Sequence, residues 1–121
     1  MMTFQADDAA GIIEFTIEGR VERADYEAVV QAFETMIAAR GKVGVVEIVH
    51  DYRGIDPSLW WRDVQWSFGH LNDFGRCAVV TDHGWIGPVT RFAAAFMPME
   101  IRVFGVEQID AARTWVREGQ G

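Results

Sequence analysis

The sequence predicts a single α/β domain over residues 1–121, with a mixed sheet and about four helices in the order ββαβαβαβα. Three features carry that prediction. Residues 13–18 alternate apolar and polar, as a strand does when one face is wetter than the other. Residues 24–39 place their apolar side chains at helical spacing. Two β-branched runs, "VGVVEIV" (43–49) and "RCAVVT" (76–81), are separated by helix-compatible sequence long enough to join parallel neighbours.

Each element has its own signal. Ile13, Phe15 and Ile17 oppose Glu14, Thr16 and Glu18 along one strand, and a shorter strand near Thr3 to Gln5 pairs with it across the "DDAAG" turn. Tyr26, Val29, Val30, Phe33, Met36 and Ile37 form the buried stripe of the first helix, which ends before Gly41. The runs 43–49 and 76–81 read as central parallel strands covered on both faces. Between them Asp56 caps a helix opened by Pro57, where the missing N–H has no helical partner to lose, and this helix runs to about Asn72. A third helix follows Gly87 and Pro88, carries Val89, Phe92, Ala93 and Phe96 on one stripe, and stops at Pro98. "MEIRVFG" is the last strand, and residues 107–118 close the chain as a helix burying Ile109, Ala112 and Val116.

Composition excludes several classes. With eleven Lys and Arg against eighteen Asp and Glu, a formal charge of −7, the chain is a poor partner for nucleic acid, whose affinity comes from clustered cations. No apolar run approaches the roughly 20 residues of a membrane span, and the start lacks a signal peptide's basic and apolar parts, so a cytoplasmic location is expected. Cys77 is the one cysteine, set in the apolar run "CAVV", and reads as core, not as a nucleophile. There is no G-x-G-x-x-G after a strand, no Walker-type loop, no G-x-S-x-G elbow and no H-E-x-x-H. No cofactor or metal is therefore assigned.

The element order, with "EGRVERADYEAVVQAFETMI", "GKVGVVEIVHDYRG", "RCAVVTDHGW" and "MEIRVFGVEQIDAARTWVREG", resembles the SpoIIAA-like family over nearly the whole chain. That family is similar to STAS domains and to the lipid-binding Sec14 (CRAL-TRIO) fold. The resemblance implies a sheet of mixed direction with helices mainly on one side, and members mostly without an assigned activity. Regulatory STAS domains carry a phosphorylatable serine in an Asp-Ser-Ser-Gly-type motif at the junction after the strand corresponding to 43–49. Here that junction reads "VHDYRGIDPSLWW" and lacks the motif. Ser58 is the hydroxyl near it, where a phosphate would meet free helix N–H groups; a plain first-turn serine is the simpler assignment.

Two constellations remain. On the helix 56–72, Trp61, Val64, Phe68 and Leu71 share a core stripe with Trp60 at its edge, whereas Trp66 points the other way, beside Leu59, Asp63 and His70. Either another part of the chain covers Trp66, or it meets a partner, a second copy being the simplest. Trp66, His70, Trp85, Tyr52 and Phe92 are the expected lining of this aromatic surface, Phe92 doubling as a core residue. The other constellation lies where parallel strands 43–49 and 76–81 end: His50, Asp51, Asp82 and His83 arrive at one carboxyl edge, where open α/β sheets bind ligands. Two imidazoles and two carboxylates suit a divalent metal or acid–base work, yet the same residues after a strand are ordinary turn chemistry. The expectation is a non-enzymatic STAS-like binding module, with a homodimer as its simplest assembly. The alternative, implied by the Sec14 likeness, is a carrier or sensor of a lipid or other apolar small molecule, with Met97 and Met99 adapting to its shape. A small metal or acid–base enzyme ranks last.

Overall fold

The computed structural model describes residues 1–55, 65, 66, 69–82, 84, 86, 88, 90, 91 and 98–120, with residues 51–55 and 71 described by their backbone alone. Its ordered elements are β1 (Met2–Asp7), β2 (Ile12–Val21), α1 (Arg23–Arg40), β3 (Val43–Ile55), β4 (Phe74–Thr81), β5 (Ile101–Phe104) and α2 (Ile109–Gln120). Short 3₁₀ turns, Leu71–Asp73 and Val106–Gln108, precede β4 and α2.

The sheet runs β1-β2-β3-β4-β5 in space as in sequence. β1 pairs antiparallel with β2, and every later neighbour is parallel. The turn from β1 to β2 ends at Gly11, whose φ of 71° lies where a side chain is strained, and a Cβ there would stand 2.7 Å from Arg40 Nε.

The strands carry apolar residues on both faces because each face receives a helix. Ile13, Phe15 and Ile17 of β2 and Val43, Val45 and Val49 of β3 meet Tyr26, Val29, Phe33 and Met36 of α1. Ile12, Val46, Ile48, Ala78, Val80 and Phe104 meet Ala112 and Val116 of α2. Side chains alternate along a strand, so adjacent residues such as Ile12 and Ile13 serve opposite layers. Gly44 lets α2 come close: a Cβ at this position would lie 2.7 Å from Val116 Cγ1. Polar ties then fasten the same helix. Arg113 Nε and Nη2 donate to the two Glu14 carboxylate oxygens at 2.7 and 2.9 Å, and Gln120 Nε2 donates to the carbonyls of Gly11 and Lys42 at 2.9 and 3.1 Å.

The mixed sheet and the two central parallel strands follow the sequence expectation; the helices depart from it. Two α-helices are described end to end instead of four, and these two pack on opposite faces, with Trp66 and Ile86, both of helical backbone, adding to the α1 side. The predicted helices over 56–72 and 88–97 fall largely outside the described residues. Gln65, Trp66 and Gly69 have helical backbone, but the helix does not reach Asn72, which belongs to the 3₁₀ turn, and β4 begins already at Phe74. β3 is the other correction. It continues to Ile55, well past Val49, because β2 is long enough to keep pairing with it across two register shifts.

Candidate functional site

Trp66 is half-buried against α1. Its ring centroid lies 5.9 Å from Phe33 and 5.9 Å from Phe74, and Phe33 in turn meets Phe15 and Phe74 edge-on at 6.0 and 5.7 Å. The indole N–H donates to Glu34 Oε1 at 3.0 Å. The His70 ring stacks on the indole at 4.4 Å and 28°, and His70 Nδ1 donates to Asp73 Oδ2 at 2.9 Å. The carboxylate at Nδ1 makes that nitrogen the donor of the pair.

Trp66 thus has a cover from its own chain, the Phe33 and Glu34 positions of α1. A helical wheel of residues 56–72 sorts residues by angle within one helix and carries no information on where α1 lies. The indole resolves the conflict between an apolar ring and a polar face by packing the ring on Phe33 and Phe74 and turning its N–H to a carboxylate on the exposed side of α1. What stays accessible is an aromatic stack between two carboxylates, with the His70 and Asp73 side chains 29% and 39% exposed.

The strand-end constellation is arranged differently from the sequence expectation. Val49 pairs with Thr81, so exposed His50 and Asp82 each follow by one residue on adjacent strands. Asp51 and Tyr52, expected in a loop, belong to β3 and lie in register with Glu18 and Gly19 of β2, across the strand from β4. Asp82 Oδ1 accepts the Val106 N–H at 3.1 Å, the turn-capping role of an Asp after a strand. Among the described residues no group of three or more His, Cys, Asp or Glu is placed to hold a metal ion. Trp85, Phe92, His83 and Ser58 lie outside the described residues, and of Tyr52 and Asp51 only the backbone is described.

Cys77 shares the α1-side face of the sheet with Glu47 and Thr81, since Val45 pairs with Cys77 and Val49 with Thr81. Burial pushes the Cys77 thiol up to about 12, with the Glu47 carboxylate adding to it. At neutral pH the group is a thiol and a poor nucleophile, as its apolar setting in the sequence suggests. Glu47 is the residue that sequence reasoning passed over. Its signal was present, a single charge inside "VVEIV" on a strand covered on both faces.

The SpoIIAA-like family model matches residues 12–117. Among solved structures, the chain is similar to an uncharacterised protein of the DUF3478 family with a SpoIIAA-like fold from Shewanella loihica PV-4. The TM-score is 0.77 at 20% identity, covering 96% of this chain and 92% of that one. The search of curated proteins finds no match. The family match over most of the sequence and the five-strand sheet it organises place this chain in the SpoIIAA-like family.

Proposed function

We propose that this chain is a non-enzymatic binding module, and that the Trp66–His70 stack is the face that receives a basic segment of a partner protein. The carrying observation is the stack itself: two aromatic rings 4.4 Å apart, with Glu34 holding one and Asp73 the other. Aromatic faces attract guanidinium and ammonium groups, and flanking carboxylates pair with them. The formal charge of −7 draws such a partner toward the surface at low salt. Trp85 and Phe92 are the further aromatic positions assigned to this surface, whereas Tyr52 is set apart from it, paired with Gly19 at the far end of β3 from the Val43–Phe74 pair beside the stack. His50, Asp51, Asp82 and His83 take no catalytic part in this reading, and Asp82 is occupied as a cap.

Titration with a hexa-arginine peptide tests it. His70→Ala and Glu34→Gln each weaken binding about tenfold, one charge-assisted contact being worth on the order of 1–2 kcal/mol, while Glu107→Gln, an exposed carboxylate elsewhere, changes nothing. Equal loss in all three variants would reduce the effect to net charge. Native mass spectrometry of the purified protein addresses the carrier alternative: an added mass lost on denaturation would favour an apolar ligand over a protein partner.

A further inference from the structure

The two outer strands of the sheet are unlike each other. β5 has four residues, and its exposed Arg102 reaches back over the Trp115 and Phe104 rings. β1 has six residues in unbroken register with β2, carries no Lys, Pro or bulge, and has Asp7 as its one charge. Among the described residues this edge has none of the usual devices that keep strands from pairing with another chain.

The register shows which groups it offers. The Glu18 N–H donates to the Met1 carbonyl, so alternation along an antiparallel pair turns the backbone groups of Thr3, Gln5 and Asp7 toward β2 and those of Met2, Phe4 and Ala6 outward. Phe4 and Ala6 stand opposite Phe15 and Ile13, which puts their side chains on the α1 side of the sheet. There Phe4, 39% exposed, borders a groove of about 320 Å³ lined by Ala6, Asp8, Ala28, Ala32, Thr35 and Met36 among others.

We infer that β1 and this groove are a homodimer surface, in which β1 pairs antiparallel with the β1 of a second copy. A two-fold axis at Phe4 sets Phe4 against the partner's Phe4 and Met2 against the partner's Ala6. All the outward groups of Met2, Phe4 and Ala6 are then satisfied in about six backbone hydrogen bonds. A second copy of β1 meets that pattern in full and, with Asp7 three residues from the axis as the strand's one charge, sets no like charges opposite each other. Charge agrees. The groove is uncharged apart from Asp8 at one end, and the axis carries the two Asp7 carboxylates about 20 Å apart, at ~3.4 Å per residue, beyond a Debye length of about 8–10 Å. Two chains of −7 therefore meet there without facing carboxylates. The Phe4 rings enter the groove, where Ala28 and Ala32 leave them room. This dimer leaves the Trp66–His70 face open and stands whether or not that face binds a basic partner.

Sedimentation equilibrium over a concentration series is the test, with amide hydrogen exchange of the same samples. The wild-type chain sediments at twice its 13.7 kDa mass at high concentration, and the Phe4 and Ala6 amides slow as dimer forms. Ala28→Arg, on an exposed position of α1 where a long side chain is helix-compatible, and Phe4→Pro, which removes an N–H not used by β2, each raise the dimer dissociation constant at least tenfold with unchanged circular dichroism. Trp66→Phe leaves it unchanged. A monomer at every concentration, leaving the edge to a strand from a different protein, or a dimer indifferent to both Ala28→Arg and Phe4→Pro, would overturn the inference.

Discussion

The two faces of the sheet solve the same burial problem with different chemistry. On the α2 side the core is mainly aliphatic, Ile12, Val46, Ile48, Val80 and Val116, with Phe104 and the half-buried Trp115 in contact at its margin, and the helix is fastened by Arg113 and Gln120. On the α1 side the core is aromatic, with Phe33 in ring contact with Phe15, Trp66 and Phe74, and polar groups enter it at Cys77, Glu47 and Thr81. An aliphatic layer sealed by polar ties is a means of holding a sheet. A layer that opens into a half-exposed indole and imidazole between carboxylates has more capacity than holding requires, which is why the candidate site is assigned there.

The largest expected effect is at the hub of the aromatic face. Phe33, 5% exposed, contacts Phe15, Trp66 and Phe74, and Phe33→Ala is expected to destabilise the fold by about 3–5 kcal/mol in urea unfolding. A loss below about 1 kcal/mol would mean that this face is not held by its rings. The matching cut on the aliphatic face is Val116→Ala, expected to lose about 2–3 kcal/mol. Gly44→Ala should lose about 1–3 kcal/mol by crowding Val116. Because the two changes exchange volume at one contact, the double variant is expected to lose less than the sum of the singles, a coupling that unfolding of all three measures.

A smaller effect separates the faces by pH. The folded Cys77 thiol titrates at about 12, above the roughly 8.5 of a free thiol, so the unfolded chain releases this proton first. The sign follows: this group's contribution is whole below the free-thiol value and is lost as pH rises toward about 12. Unfolding at about pH 8 and about pH 10 should show wild type losing on the order of 1–2 kcal/mol more than Cys77→Ala does. Equal losses would show the thiol is not withheld from water. The smallest effect belongs to Arg113→Lys, which keeps the charge but loses the fork on Glu14 at a half-exposed site. A loss of about 0.5–1 kcal/mol that shrinks in high salt is expected.

The parts of the fold legible in the sequence were those set by local period. α1, with its stripe Tyr26, Val29, Phe33 and Met36, and the β-branched β3 and β4 need no partner to be read. What failed depends on neighbours distant in sequence. The extension of β3 to Ile55 is set by the length of β2, and "HDYRG" taken alone resembles a loop. The cover over Trp66 comes from Glu34 and Phe33, 32 and 33 positions away, so no wheel of its own helix shows it. Adjacent apolar residues on β2 to β4 announced a sheet covered twice, but not which helix lies on which side.

The central claim, that the aromatic face is the working surface and the aliphatic face a scaffold, is tested most directly by side-chain NMR during titration with hexa-arginine. The account predicts saturable shifts of the Trp66 indole N–H and the His70 imidazole while the Trp115 indole, on the α2 side, stays in place. Shifts of equal size at Trp115 and Trp66, or none at either, would contradict it.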